Sequence, residues 1–541
     1  MKTIKNILFL NPPDPSLLKQ NSKKINCPYF EPPLGLLYVY SFIKRNKKDL
    51  SVRFCDLNIE MGFKGAKTLE EAIKRSMDNF APDLVCVSAL YYSAISIFHS
   101  TVKEVKKLAP GVLVVLGGHY ATHLTNMAMK DELIDFCVLS EGEIGLSDLI
   151  DALNSEKNLE EIEGLAYRKN NEIIRKPRNN FWSGYSDFDT LEWNDLEMEY
   201  YFKEGRNVFD RFENRNQRKF AAMTATRGCP NACIFCSSKN FWHRNWRKRK
   251  IPKIIDEVKF LINNYGANTI IFNDENMSVD KDWFFELMDE LEKLKITWIA
   301  GSGLSVRTIN DEKVIKKMYS SGIGYFNLAI ESSSDESLKK LQKPSSIEEI
   351  KNVIKMIREN GNGYVNGFFI TGFPFEAKKD VIYTYDFARS LGLDWYSFYC
   401  LQPFPGTEIH NYCLENKLIE AFDINYGENY FAPDMKHLDY TSEELNKLNY
   451  IANLKYNFVE NRNLKMNTEK SLQQAERDFK YILDMVPNHV FAFWGLSEIA
   501  RLKNQEDKRK EYIALAKKAL IEDKTTDWQY YLKEFNLNIN Q

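Results

Sequence analysis

Phe220-Ala-Ala-Met-Thr-Ala-Thr226-Arg-Gly-Cys229-Pro-Asn-Ala-Cys233-Ile-Phe-Cys236-Ser-Ser238 sets a short β-forming run directly before three cysteines spaced C-x3-C-x2-C. This spacing holds three thiolates on one tight loop and supplies no fourth, so a cubane iron–sulfur cluster bound here keeps one iron open to another ligand. A structural zinc knot completed by His243 is the competing reading, although zinc sites usually draw their ligands as two close pairs. The other cysteines, Cys27, Cys55, Cys86, Cys137, Cys400 and Cys413, are scattered singly, a pattern that suits reduced thiols in a cytosol better than disulfides.

Outward from the cysteines toward the C-terminus, apolar runs alternate with helix-length stretches. Strands are expected near 220–225, 269–273, 297–300, 325–330, 366–370 and 396–400. Strands joined by helical crossovers make a partial parallel barrel, TIM-like and (β/α)6, over residues 220–415. The cysteine loop then follows the first barrel strand, on the face where βα loops build active sites.

Toward the N-terminus, residues 1–150 carry an earlier alternation. The runs Ile7–Leu10, Val52–Cys55, Leu84–Val87, Val112–Leu116 and Phe136–Leu139 are apolar on both faces, which predicts a doubly wound α/β domain of the Rossmann or flavodoxin-like kind. Ligands of such sheets sit beyond the carboxyl ends of the strands. Asn11-Pro-Pro, Asp56, Ser88-Ala-Leu, Gly117-Gly118-His119 and Glu141-Gly142-Glu143 all fall there.

Residues 151–219 lose the periodicity and are expected to form a linker, packed over its neighbours through Trp182, Tyr185 and Trp193. Residues 416–541 are expected to be helical. From about 470, Ala475, Phe479 and Pro487, then Phe491, Trp494, Gly495 and Ala519, fall at spacings that resemble tetratricopeptide units; a plain helical hairpin is the alternative.

With 44% apolar residues in 541, the chain can bury several cores, and the near balance of 73 basic and 75 acidic residues gives no pull toward nucleic acid or an anionic membrane. The basic run Arg244–Lys250 reads as a solvated face. The start, Met1–Leu10, has too short an apolar stretch for a signal peptide and is better explained as a buried first strand. No run approaches the roughly 18 apolar residues of a membrane span, so a cytoplasmic protein is expected.

Cysteines in this spacing after the first strand of a partial barrel resemble the radical S-adenosylmethionine (SAM) enzymes. The resemblance implies that Cys229, Cys233 and Cys236 ligate a [4Fe-4S] cluster whose open iron is chelated by SAM. Further segments match in order. Phe272-Asn-Asp-Glu-Asn276 is similar to the acidic segment that meets the cofactor's amino group, through Asp274 or Glu275. Arg307, in Gly303-Leu-Ser-Val-Arg307, suits its carboxylate. Ala329-Ile-Glu-Ser332 resembles the family's Gly-x-Glu-Ser near the ribose, with Glu331 and Ser332 as contacts, Ala329 in place of glycine, and Lys343 following. Gly372-Phe-Pro-Phe-Glu376 and Pro403-Phe-Pro-Gly-Thr407 resemble later elements of the same barrel.

The first domain, taken with the second, resembles the cobalamin-binding module of class B radical SAM methyltransferases and related cyclases. Ser88, Gly117, Gly118, Glu141, Gly142 and Glu143 are the rim residues this resemblance implies, the glycines letting backbone approach a corrin closely. The Asp-x-His-x-x-Gly motif is absent: Asp56-Leu-Asn58-Ile-Glu-Met61 has Asn58 at the histidine's place, which implies cobalamin without a protein histidine on cobalt. A domain that holds no corrin is the alternative.

What the resemblance implies is radical methylation of an unactivated carbon, with a low-potential electron donor such as flavodoxin or ferredoxin. The rivals are cyclisation, rearrangement or oxidation from the same radical start and, from another class, a non-catalytic scaffold whose cysteines staple a loop. No segment encodes the substrate. Tyr91, Tyr92, Trp395 and Tyr396 either border its pocket or pack the core, and the helical tail favours a peptide or carrier-bound substrate over a free small molecule.

Overall fold

Ile7–Leu10 is apolar at every position because β1 (Asn6–Asn11) runs through the interior of a sheet covered on both faces. Ile7 and Phe9 enter one core, Leu8 and Leu10 the other. In this computed structural model, which describes residues 3–18, 30–90, 94–155, 158–204, 219–420, 434–523 and 525–539, β1 pairs in parallel with β2 (Ser51–Asp56) and with β3 (Leu84–Ser88). β4 (Leu113–Gly117) and β5 (Phe136–Val138) continue the parallel ladder in the order β2-β1-β3-β4-β5. Tyr91, Tyr92 and Cys27 lie outside the described residues.

The sheet does not stop at residue 150. Inside the stretch expected as a linker, β6 (Leu165–Lys169) and β7 (Glu172–Lys176) form a hairpin that adds antiparallel to β5. Its turn is Asn170-Asn171, with φ of 51° and 64°. Asparagine tolerates this left-handed pair, the signature of a type I′ hairpin, and that dipeptide was the signal in the sequence. Farther on, Tyr185 and Trp193 are fully buried, as their aromatic character suggested.

β8 (Phe220–Met223) opens the second unit and leads into β9 (Thr226–Arg227), which pairs antiparallel with β10 (Arg247–Lys248). β11 (Thr269–Phe272) and β12 (Thr297–Ala300) complete a parallel sheet of order β12-β11-β8. β13 (Phe326–Glu331), β14 (Val365–Thr371) and β15 (Trp395–Cys400) form a second parallel sheet, linked to the first by the bridges Trp298↔Ile323 and Leu304↔Leu328. The result is an arc of parallel strands with helices outside. Those helices carry clear end signals: Ser346 and Glu349 make a capping box, and the helix Ile251–Tyr265 stops at Gly266, φ 67°.

Along these strands Ala221, Met223, Ile270 and Phe272 face the outer helices. Ala222, Ile271 and Ile299, together with Tyr325, Tyr364 and Trp395 near the strand starts, share a core with Phe458, Phe479, Phe491 and Trp528 of the C-terminal helices. Trp395 and Tyr396 are therefore packing residues. The basic run is corrected in part: Arg244 and Lys250 are exposed, but Arg247 and Arg249 are not. Arg249 is fully buried against Glu257 at 2.6 Å, and Arg247 lies in β10, because these guanidiniums find carboxylate and carbonyl partners that the local sequence does not reveal.

β15 is the last strand of the arc, and its free edge is covered by side chains. The helix Ser442–Leu454 and the π turn Lys455–Val459 run along it. Asn457 bonds both the N–H and the C=O of Tyr396, at 2.8 and 2.7 Å; Asn453 does the same for Phe398 at 3.4 and 3.3 Å. Asn449 Nδ2 reaches Cys400 Sγ at 3.0 Å. A row of amides thus substitutes for a missing strand. Beyond it, Ala475 and Phe479 in the helix Glu469–Met485 pack on Gly495 of the helix Val490–Leu502, where a Cβ would lie 2.4 Å from the Phe479 ring.

Candidate functional site at the facing strand ends

The carboxyl ends of the two sheets face each other. Tyr38 OH donates to Thr224 O (3.3 Å), Asn273 Nδ2 after β11 donates to Glu31 (2.9 Å), and Glu141 and Glu143 after β5 reach Arg227. The segment Glu31–Tyr38 therefore dips from the first domain onto the end of the arc, where Gly301 leaves the space that Asn273 occupies, a Cβ there falling 2.1 Å from Asn273 Oδ1.

The turn between β8 and β9 is held by one carboxylate. Asp274 accepts from Ala225 N (3.1 Å), from Thr226 N and from Thr226 Oγ1 (2.5 Å) while almost wholly buried, and burial pushes its pKa up to about 7 against the pull of those bonds. Glu275 accepts from Gly228 N (3.0 Å) and Trp242 Nε1 (2.6 Å). Both expected ammonium partners thus have work inside the protein, Asp274 before the cysteine loop and Glu275 within it.

The cysteine loop lies between β9 and β10. Cys236 N bonds Cys233 O (3.2 Å), Ile234 N bonds Leu341 O (3.1 Å) and Ile409 N bonds Ile234 O (3.1 Å), so neighbouring segments fix the loop's backbone. Burial raises all three thiols, Cys236 to about 12, and the Lys343 ammonium pulls each of them down. Lys343 in turn pairs with Glu331 at 3.0 Å. Glu331 sits at φ 70°, a left-handed conformation that is strained for a non-glycine residue, where the β13–β14 register shifts. Next to it, the Ser332 hydroxyl is buried without a hydrogen-bond partner. Arg307 is exposed on the short helix Val306–Ile309. His243, the zinc alternative, is exposed with its ring against Phe181. Among the described residues no three His, Cys, Asp or Glu side chains are grouped as a ready metal site.

On the first-domain rim the roles divide. Gly118, at φ 99°, would place a Cβ 2.7 Å from Ala89 O, so its freedom serves the close packing of β4's end on β3's end. Gly142 is likewise demanded by Val39, 2.7 Å from where its Cβ would be. Among the described residues, the one atom within 4 Å of a Cβ at Gly117 would be Val138 O, at 3.9 Å, beside half-buried Ser88 and exposed Leu90. Asn58 donates to Asp56 (2.8 Å) and accepts from Asp14 N (2.7 Å), so its amide is engaged within the rim. Burial keeps the imidazoles of His119 and His123 neutral, at about 4 and about 3.

Glu141 and Glu143 turn toward the second domain. They are buried and paired, Glu141 Oε1 with Arg227 (2.5 Å) and Arg247 (3.0 Å), Glu143 with Arg227 (2.7 Å).

Residues 223–388 match the Radical SAM superfamily, and residues 24–150 match the B12 binding domain. The chain joins a B12-binding domain to a radical SAM domain. It is 29% identical over 452 residues to the uncharacterized methyltransferase PH0819 of Pyrococcus horikoshii, covering 83% of this chain and 91% of that protein. It is 25% identical over 466 residues to the cytidylyl-2-hydroxyethylphosphonate methyltransferase of Streptomyces wedmorensis, covering 78% and 84%. In fold it is similar to the cobalamin-dependent SAM radical enzyme OxsB with aqua-cobalamin bound, with a TM-score of 0.68 at 13% identity over 98% of this chain and 80% of that one.

The radical SAM domain fits its implied cofactors in two respects: the thiols share one cation, and a buried hydroxyl at Ser332 awaits a partner. In the B12-binding domain Gly117 carries no side chain toward the strand-end rim where a corrin would lie, and the engaged Asn58 offers cobalt no ligand. Sequence reasoning missed Glu31, Tyr38, Arg227 and Arg247. Only the Pro32-Pro33 pair before the helix Leu34–Asn46 hinted that this segment had a special path.

Proposed function

We propose that the chain is a cobalamin-dependent radical SAM methyltransferase acting on an unactivated carbon. The observation that carries this reading is the meeting of two carboxyl-end rims, the first domain's β5 end against the cysteine loop that follows β8. When bound, a reduced cluster with SAM supplies a carbon-centred radical, and methylcobalamin supplies the methyl group. The chain's own residues do the rest. Cys229, Cys233 and Cys236 would hold the cluster, and Lys343, held by Glu331, would lower the charge cost of gathering three thiolates. Ser332 and Arg307 would meet SAM, while Glu275 has the better position of the two acidic residues, since its partners lie within the cysteine loop. Ser88 and Gly117 would face the corrin. The arc is read as a partial (β/α)6 barrel. Closing the domains against each other keeps water from the reacting groups.

The reading also carries an electron donor such as flavodoxin or ferredoxin, a cytoplasmic setting, and a tetratricopeptide-like tail serving a peptide or carrier-bound substrate. Anaerobic reconstitution with iron, sulfide and hydroxocobalamin tests it: the expected protein binds both cofactors, cleaves SAM, and adds a methyl group to product mass. A product of cyclised or oxidised mass would instead favour the kind of chemistry named for a relative, the anaerobic magnesium-protoporphyrin IX monomethyl ester cyclase of Cereibacter sphaeroides, 27% identical over 386 residues.

A further inference from the structure

Arg227 and Arg247 face each other in register across β9 and β10, the two strands from which the cysteine loop projects. Both reach across to the first domain. Arg227 Nη1 bonds Glu141 and its Nη2 bonds Glu143, while Arg247 Nη1 lies 3.0 Å from each Glu141 oxygen. The remaining Glu141 capacity is met by Trp182 N at 2.9 Å. Aromatic faces enclose the guanidiniums: Tyr185 and Tyr38 lie 4.4 and 4.5 Å from that of Arg227, Phe181 5.1 Å from that of Arg247. The carboxylates and Arg227 are all under a tenth exposed.

A buried ion network is a poor way simply to glue two domains. Desolvating the charges offsets most of the attraction, and apolar residues of the same volume are often as stable or more so. The arrangement adds direction instead: one planar guanidinium spans two carboxylates while a second guanidinium shares one of them, a geometry met in few orientations. We infer that Glu141 and Glu143 are positioning residues for the cysteine loop, clamping both strands of its neck from the B12-binding domain. The first domain thereby sets the orientation in which the second presents its cluster. This rests on the proposed assignment of Cys229, Cys233 and Cys236 as cluster ligands.

The test uses the full chain with Glu141→Gln and Glu143→Gln, singly and together, and Glu143→Asp, which keeps the charge and retracts it by one methylene. Hydrogen exchange of the cluster-free protein is expected to speed at least tenfold within residues 228–246 and to stay unchanged in β13 and β14. In the reconstituted protein, the electron paramagnetic resonance g-values of the reduced cluster with SAM are expected to move, with far-UV circular dichroism intact. Wild-type exchange in that loop and wild-type g-values in the double variant would overturn the clamp, as would exchange accelerated evenly through both domains, which is the mark of mere glue. Should the double variant fail to fold, Glu143→Asp decides by the same readouts. Failure of the wild-type protein to form any cluster would instead sink the ligand assignment, which the exchange data on cluster-free protein do not address.

Discussion

Lys343 Nζ lies 3.0 Å from Glu331 Oε1, and this nearly buried pair places a fixed cation against all three thiols of the cysteine loop. Thiolate, not thiol, binds metal and reacts with alkylating agents. Lys343→Met should therefore raise the thiol pKa values further above their buried starting point. We expect iodoacetamide to modify the cluster-free variant about tenfold more slowly at pH 8, on the order of one pKa unit, and iron loading to fall; equal alkylation rates would contradict this role.

Asp274 serves buried donors of the β8–β9 turn. Asp274→Ala leaves them unpaired, at roughly 1–3 kcal/mol each, so the variant should melt many degrees lower and lose iron. Asp274→Asn retains an acceptor and removes a carboxyl whose ionisation burial already penalises, its pKa pushed up to about 7. Its melting temperature at pH 8 should lie much closer to wild type, and equal losses in the two variants would count against the anchoring role.

Glu376 accepts from Gly372 N and Phe373 N, at 3.1 and 3.2 Å, and burial pushes its pKa from 4.5 to about 7. Between those values the folded protein holds a proton that the unfolded chain has released. Its contribution is therefore full below pH 4.5 and shrinks as pH rises toward 7. The loss across that window is on the order of 3 kcal/mol, at about 1.4 kcal/mol per pH unit. Glu376→Gln should abolish this slope in denaturant titrations, matching wild type near pH 4.5 and exceeding it at pH 8.

Asn457 pairs with both backbone groups of Tyr396 on the free edge of β15. Asn457→Leu removes both bonds and leaves the Tyr396 N–H and C=O buried and unpaired beneath the π turn. We expect a loss of about 1–3 kcal/mol for each group left unpaired, read from denaturant titration, with a larger loss in the Asn453→Leu, Asn457→Leu double variant; wild-type stability in both would contradict the capping role.

The elements legible in the sequence are those whose causes are local. Strand positions across 220–400 fall within a few residues of expectation because burial on both faces leaves uninterrupted apolar runs, as at Ile270 and Ile271. The β6–β7 hairpin carried its signal in Asn170-Asn171, but its strands alternate weakly and so read as linker. Arg249 read as solvated because its partner Glu257 is invisible to charge counting, although only one helical stretch away.

By itself, then, the sequence determined two alternating α/β regions, the cysteine spacing and the loop's place after a strand, all consequences of short-range periodicity and ligand geometry. Tertiary structure alone decided which charges serve which site. Glu141 and Arg227 stand 86 positions apart, and their pairing depends on two separately built sheets turning their carboxyl ends toward each other. No local pattern encodes that orientation, because the energy that selects it comes from burying both surfaces at once.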